Sequence, residues 1–74
     1  MTNNKPVETF RRGNIEAAVW KNRGEKGDYY NVTFNRTYRE GDEVRNSPSF
    51  GQHDLLRVMR VAELAEAYIF KLLE

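Results

Sequence analysis

The chain has 74 residues, no cysteine and a single histidine, His53. Those shortages exclude disulfide staples, thiolate metal sites and His-rich metal sites, and no cofactor is implied. Proline occurs only at Pro6 and Pro48, so most of the length is free to enter regular structure. No apolar run approaches the ~18 to 20 residues that span a bilayer, and the opening Met-Thr-Asn-Asn-Lys-Pro has no apolar segment behind a basic start. A soluble, cytoplasmic protein without a membrane partner is therefore expected. Neither charge is in marked excess: 12 Lys and Arg oppose 11 Asp and Glu, a formal net charge of +1. Strong non-specific nucleic-acid binders usually carry a clear basic surplus, so net charge alone does not announce one. The distribution is less even: residues 1 to 50 hold nine bases against seven acids, residues 51 to 74 three against four.

What the chain does have is alternation. In Tyr29-Tyr-Asn-Val-Thr-Phe-Asn-Arg-Thr-Tyr-Arg39 two kinds of side chain take turns. Successive strand residues point to opposite faces, so Tyr30, Val32 and Phe34 form a core side, and Asn31, Thr33, Asn35 and Thr37 a polar one. Asn is depleted in strands, and its repetition here describes a hydrogen-bonding platform, although any one-sided antiparallel sheet has a solvated polar face.

Upstream, Gly13-Asn14 separates the extended runs Val7 to Arg12 and Ile15 to Lys21, a two-residue hairpin signal. It sets Arg12 opposite Ile15, Arg11 opposite Glu16, Phe10 opposite Ala17 and Thr9 opposite Ala18. Phe10, Ile15, Ala17 and Val19 then share the core side, and Trp20 lands on the other. Residues 22–28 and 39–43 read as polar loops, leaving strands near 29–38 and 44–50, the last limited by Pro48 to an edge or irregular end. From about Gly51 the period becomes helical, and Leu55 to Leu73 contains no Gly or Pro. Ser49 or Gly51 is the expected cap, with Asp54 in the first turn.

The expected fold is therefore α+β: a four-stranded antiparallel β-meander followed by one long C-terminal α-helix, as a single ββββα domain over residues 7–74 behind a disordered tail, 1–6. A domain this short sits near the lower limit of autonomous folding. The apolar arc of the helix is roughly twice what packing on one sheet needs. A helix-mediated homodimer follows, with Val58, Val61, Ala65, Tyr68, Ile69 and Leu72 as its expected interface; the alternative is a monomer with an exposed apolar flank.

Catalytic constellations are scarce. His53 and Asp54 are sequence neighbours and do not face each other on a helix, and Glu40, Asp42 and Glu43 fall in a turn, so no enzymatic activity or small-molecule substrate is expected. The better candidate is the outer sheet face, where Trp20 joins Tyr29, Asn31, Thr33 and Asn35, rimmed by Lys21, Arg36, Arg39 and Arg45. Aromatic faces stack on unpaired bases while cationic groups follow the phosphates, which makes single-stranded DNA or RNA the expected partner. Each residue also has a plainer reading: Trp20 packing on Val7, Arg11 paired with Glu16, Arg36 reaching outward from the core side.

The order of elements, with Phe10 and Gly13-Asn14 in the first hairpin, Val32-Thr-Phe-Asn-Arg36-Thr-Tyr38 as an alternating strand ending in Arg-x-Tyr, Gly41 in a turn, and Ser49-Phe50 leading to Leu55, Leu56 and Met59, resembles one known family. That is the positive-cofactor-four family of transcriptional coactivators, single-stranded DNA-binding proteins related to the whirly fold, and the resemblance covers about residues 8 to 70. It implies dimerisation through the helices and strand binding by the sheets, with Trp20, Lys21, Arg36 and Arg45 as contacts. The rival expectation is a small homodimeric adaptor that engages a protein through its sheet and binds no nucleic acid.

Overall fold

A computed structural model describes residues 5–74. Four strands, β1 (Glu8–Arg12), β2 (Ile15–Gly24), β3 (Gly27–Glu40) and β4 (Glu43–Ser47), form one antiparallel sheet in sequential order, followed by helix α1 (Leu55–Leu73). The expected architecture is thus observed. The hairpin at Gly13-Asn14 takes the expected register, with Arg12 opposite Ile15 and Phe10 opposite Ala17. Gly13 has φ 61°, a backbone conformation that side chains with a Cβ seldom adopt. Of the tail expected over residues 1–6, residues 1–4 lie outside the described part.

The loop expected over residues 22–28 is instead a ribbon. β2 and β3 continue pairing through Asn22↔Tyr29, Arg23↔Asp28 and Gly24↔Gly27, leaving only Glu25 and Lys26 as the turn. Polar composition misleads here because no helix covers this stretch, so both of its faces are solvated and it needs no apolar alternation. The second expected loop, 39–43, is likewise a tight turn between paired Glu40 and Glu43. β4 stops at Ser47, one residue before Pro48, which has no amide hydrogen for a ladder.

α1 begins and ends where its unbroken helical period does. Its N-cap is Asp54 rather than Ser49 or Gly51, and the Asp54 carboxylate accepts from the Gly51 amide at 3.0 Å. The helix lies across β2 and β1 and barely touches β3. Ile15, Ala17, Val19, Val61 and Ala65 form the buried core between them. Small Ala17 and Ala65 let helix and sheet approach closely, while the larger Phe10 and Tyr68 close one side edge to face at 5.9 Å. Phe34 and Val32, whose strand the helix does not cover, are only partly buried.

This docking corrects the expected dimer surface. Val61 and Ala65 are fully buried against the chain's own sheet and are closed to a partner, while Val58, Tyr68 and Ile69 pack beside them and are left only partly exposed. Leu72, past the covered part of the sheet, stays exposed. The apolar flank left open consists of Leu55, Leu56, Met59, Phe70 and Leu73, with Met59 65% and Phe70 61% exposed. Among the described residues, no helix is long and apolar enough to cross a membrane.

Candidate nucleic-acid interface

The sheet face opposite α1 is built by every second residue of the central strands. On β2 these are Glu16, Ala18, Trp20 and Asn22; on β3 they are Tyr29, Asn31, Thr33, Asn35, Thr37 and Arg39. Their side chains bond across the strands. The Trp20 indole Nε1–H donates to Thr33 Oγ1 at 2.8 Å, Asn22 to Asn31, and Asn35 to Asn46 of β4 at 2.9 Å. Arg11 of β1 pairs with Glu16 at 2.6 Å, as the hairpin register implies.

Because Trp20 stands opposite Asn31 and Thr33 stands opposite Ala18, the indole's hydrogen bond runs diagonally and lays the ring back along the sheet. Ala18 is only 7% exposed, although no helix covers this face. Tyr29 leans the other way, toward the ribbon tip, where a Cβ on Gly24 would stand 3.3 Å from its ring. Gly24 therefore leaves room for the Tyr29 ring, and Tyr29 as a residue remains 56% exposed. Two aromatic surfaces thus flank the bonded Asn22–Asn31 pair on one open face.

Of the expected site residues, Trp20, Tyr29, Asn31, Thr33, Asn35 and Arg39 are brought together on this face. Lys21, Arg36 and Arg45 are not. Lys21 is opposite Tyr30, Arg36 opposite Ser47 and Arg45 opposite Tyr38, which places all three on the helix side of the sheet. The register explains this: Lys21 shares the side of Val19, and Arg36 that of Phe34. Arg36 donates from Nε to the Ser49 carbonyl at 2.7 Å and sits 5.1 Å from the Tyr38 ring centroid, in keeping with its plainer reading. Lys21 pairs with Asp28 at 3.3 Å, and Arg45 with Glu43 at 2.8 Å and Glu40 at 3.6 Å. Arg39 has no carboxylate within 4.0 Å among the described residues.

Sequence reasoning left Arg11, Asn22 and Asn46 out of the site. The hairpin register already sets Arg11 beside Glu16, whereas Asn22 falls in the segment that composition reads as a loop and the side of Asn46 depends on the length of the turn between Glu40 and Glu43. His53 approaches Gln52 at 3.3 Å, while Asp54 is engaged with Gly51 and Arg57, so the two neighbours do not meet. No protein-family profile, curated protein or solved structure matches this chain.

Proposed function

We propose that this protein binds single-stranded nucleic acid on the open face of its sheet. The observation that carries the reading is the placement of two aromatic side chains, half-buried Trp20 and exposed Tyr29, beside a bonded polar row that ends at Arg39, whose guanidinium has no carboxylate within 4.0 Å among the described residues. An unstacked base offers a free π-face to an indole or phenol ring, at about 1–3 kcal/mol per base, and the amide and hydroxyl row supplies a surface that tolerates any base edge. Phosphates are met by Arg39 and Arg11, and the modest number of cations predicts moderate affinity at low salt.

The working unit we propose is a homodimer joined by the open flank of α1. Leu55, Met59, Phe70 and Leu73 lie on one side of the helix, interrupted by Glu66, and leave the sheet-facing side undisturbed when they associate. Such a contact leaves both outer sheet faces free. The resemblance to the positive-cofactor-four family implies the same kind of partner, but of the four contacts that it implies only Trp20 lies on this face; Lys21, Arg36 and Arg45 lie on the other. Titration of the protein into a labelled mixed-sequence single strand at rising salt tests it: binding that weakens with salt supports the reading, and an absence of binding at low salt replaces it with the adaptor.

A further inference from the structure

β3 outruns β2 by four residues, Thr37 to Glu40, and along that overhang it is paired only with β4. The notch left beside it is closed by the β1–β2 turn, where the Thr37 amide donates to the Asn14 carbonyl at 2.9 Å and Asn14 Nδ2 donates to the Thr37 carbonyl at 3.2 Å. The result is an open surface cleft of about 360 Å³, lined by Arg11, Arg39 and, as its apolar part, Val44.

We propose that this cleft is a subsite for one nucleotide, with the phosphate held between Arg39 and Arg11 and the sugar against Val44. Three observations point there. Planar guanidinium groups match phosphate oxygens bidentately, and Arg39 has no competing carboxylate within 4.0 Å among the described residues, while Arg11 spends one edge on Glu16. Its volume, at the small end of ligand sites, leaves room for the phosphate and sugar of one nucleotide. Its position continues the open face: from Asn31, opposite Trp20, to Arg39 is eight residues of one strand, about 26 Å, so a chain lying along β3 from the aromatic end arrives at the cleft. The location of the subsite on a strand-binding track rests on the function proposed above; the affinity of the cleft for a nucleotide does not.

The experiment is a titration of the uniformly labelled protein with thymidine 5′-monophosphate, followed by amide chemical shifts, with thymidine as the control. The expected result is saturable shifts at Gly13, Asn14, Thr37, Arg39 and Val44, in the millimolar range, with the nucleotide and not with the nucleoside, weakened at least tenfold in Arg39→Ala. Shifts absent with the nucleotide, equal with thymidine, or unchanged in the variant would overturn the proposal. A second arm compares single strands with and without a 5′-phosphate: a preference assigns the cleft to a terminal phosphate, equal binding that Arg39→Ala weakens assigns it to a phosphodiester, and equal binding that the variant leaves untouched counts against it. A wild-type protein that binds the monophosphate but no strand keeps the cleft and removes the track. One that binds strands but leaves these amides unmoved does the reverse.

Discussion

Trp20 and Thr33 are joined by an indole-to-hydroxyl hydrogen bond of 2.8 Å that crosses diagonally between the two central strands. The bond ties the ring to the outer face at the residue opposite Ala18, which is itself only 7% exposed. An aromatic platform held in this way loses little rotamer freedom when a base stacks on it, so more of the stacking energy appears as affinity.

Thr33→Val removes the acceptor and nearly preserves the volume. We expect a stability loss of about 0.5–1.5 kcal/mol, measured by urea unfolding, because the indole N–H can turn to water at this partly exposed site. Trp20→Ala, in contrast, should weaken single-strand binding by about 1–3 kcal/mol while leaving its salt dependence unchanged. Trp20 is the only tryptophan in the chain, so quenching of intrinsic fluorescence reports stacking directly.

The ribbon tip has its own test. Adding a Cβ at Gly24 would bring it within 3.0 Å of the Gly27 carbonyl oxygen and 3.3 Å of the Tyr29 ring. The Tyr29 ring should shift the wild-type Gly24 α-protons upfield, and Gly24→Ala, which makes the ring give by a few tenths of an ångström, should change the Tyr29 ring-proton shifts. Wild-type α-protons at ordinary shifts would show that the ring does not rest there.

The two sides of α1 should respond differently to charge. Val61 is fully buried, so Val61→Asp places an unpaired carboxylate in the core and should unfold the protein, as circular dichroism would show. Met59→Lys and Phe70→Lys alter side chains that are already 65% and 61% exposed, and should leave the fold intact while shifting the protein to monomer in sedimentation equilibrium. A wild type that is monomeric at micromolar concentration would remove the dimer.

Much of this architecture is legible in the chain. The alternation of Tyr30, Val32 and Phe34 with Asn31, Thr33 and Asn35 announces β3; Gly13-Asn14 sets the first register; and the run from Leu55 to Leu73 contains nothing that would stop a helix. The ribbon at residues 22–28 was not legible because a strand solvated on both faces has no hydrophobic period to read. The sides of Lys21 and Arg36 follow from counting along their strands, whereas that of Arg45 depends on a two-residue turn at Gly41-Asp42 that polar composition cannot distinguish from a longer loop. For α1, the period gives an apolar arc wide enough for two partners but does not say which part meets the sheet. In the structure Val61 and Ala65, and not Met59 and Phe70, join Ile15, Ala17 and Val19 in the core.

Core energetics should follow burial and not hydrophobicity alone. Ile15 is fully buried, and Ile15→Ala should cost about 2–5 kcal/mol, a large share of the stability of so small a domain. Phe34, on the strand that α1 does not cover, is only partly buried, and Phe34→Ala should cost less than Ile15→Ala despite removing more atoms. Denaturant midpoints compared at low protein concentration decide the ranking, and the reverse order would mean that β3 is covered by something more than this helix.

The most direct measurement of the central claim is fluorescence anisotropy of a labelled single strand titrated with wild-type protein and with Arg39→Ala at several salt concentrations. Each phosphate neutralised on a single strand contributes about −0.7 to the slope of log affinity against log salt. Salt-sensitive binding by the wild type, a flatter slope in Arg39→Ala, and weaker binding to duplex of the same sequence are the results predicted. Absence of salt-sensitive binding to single-stranded DNA or RNA at low ionic strength would contradict the account.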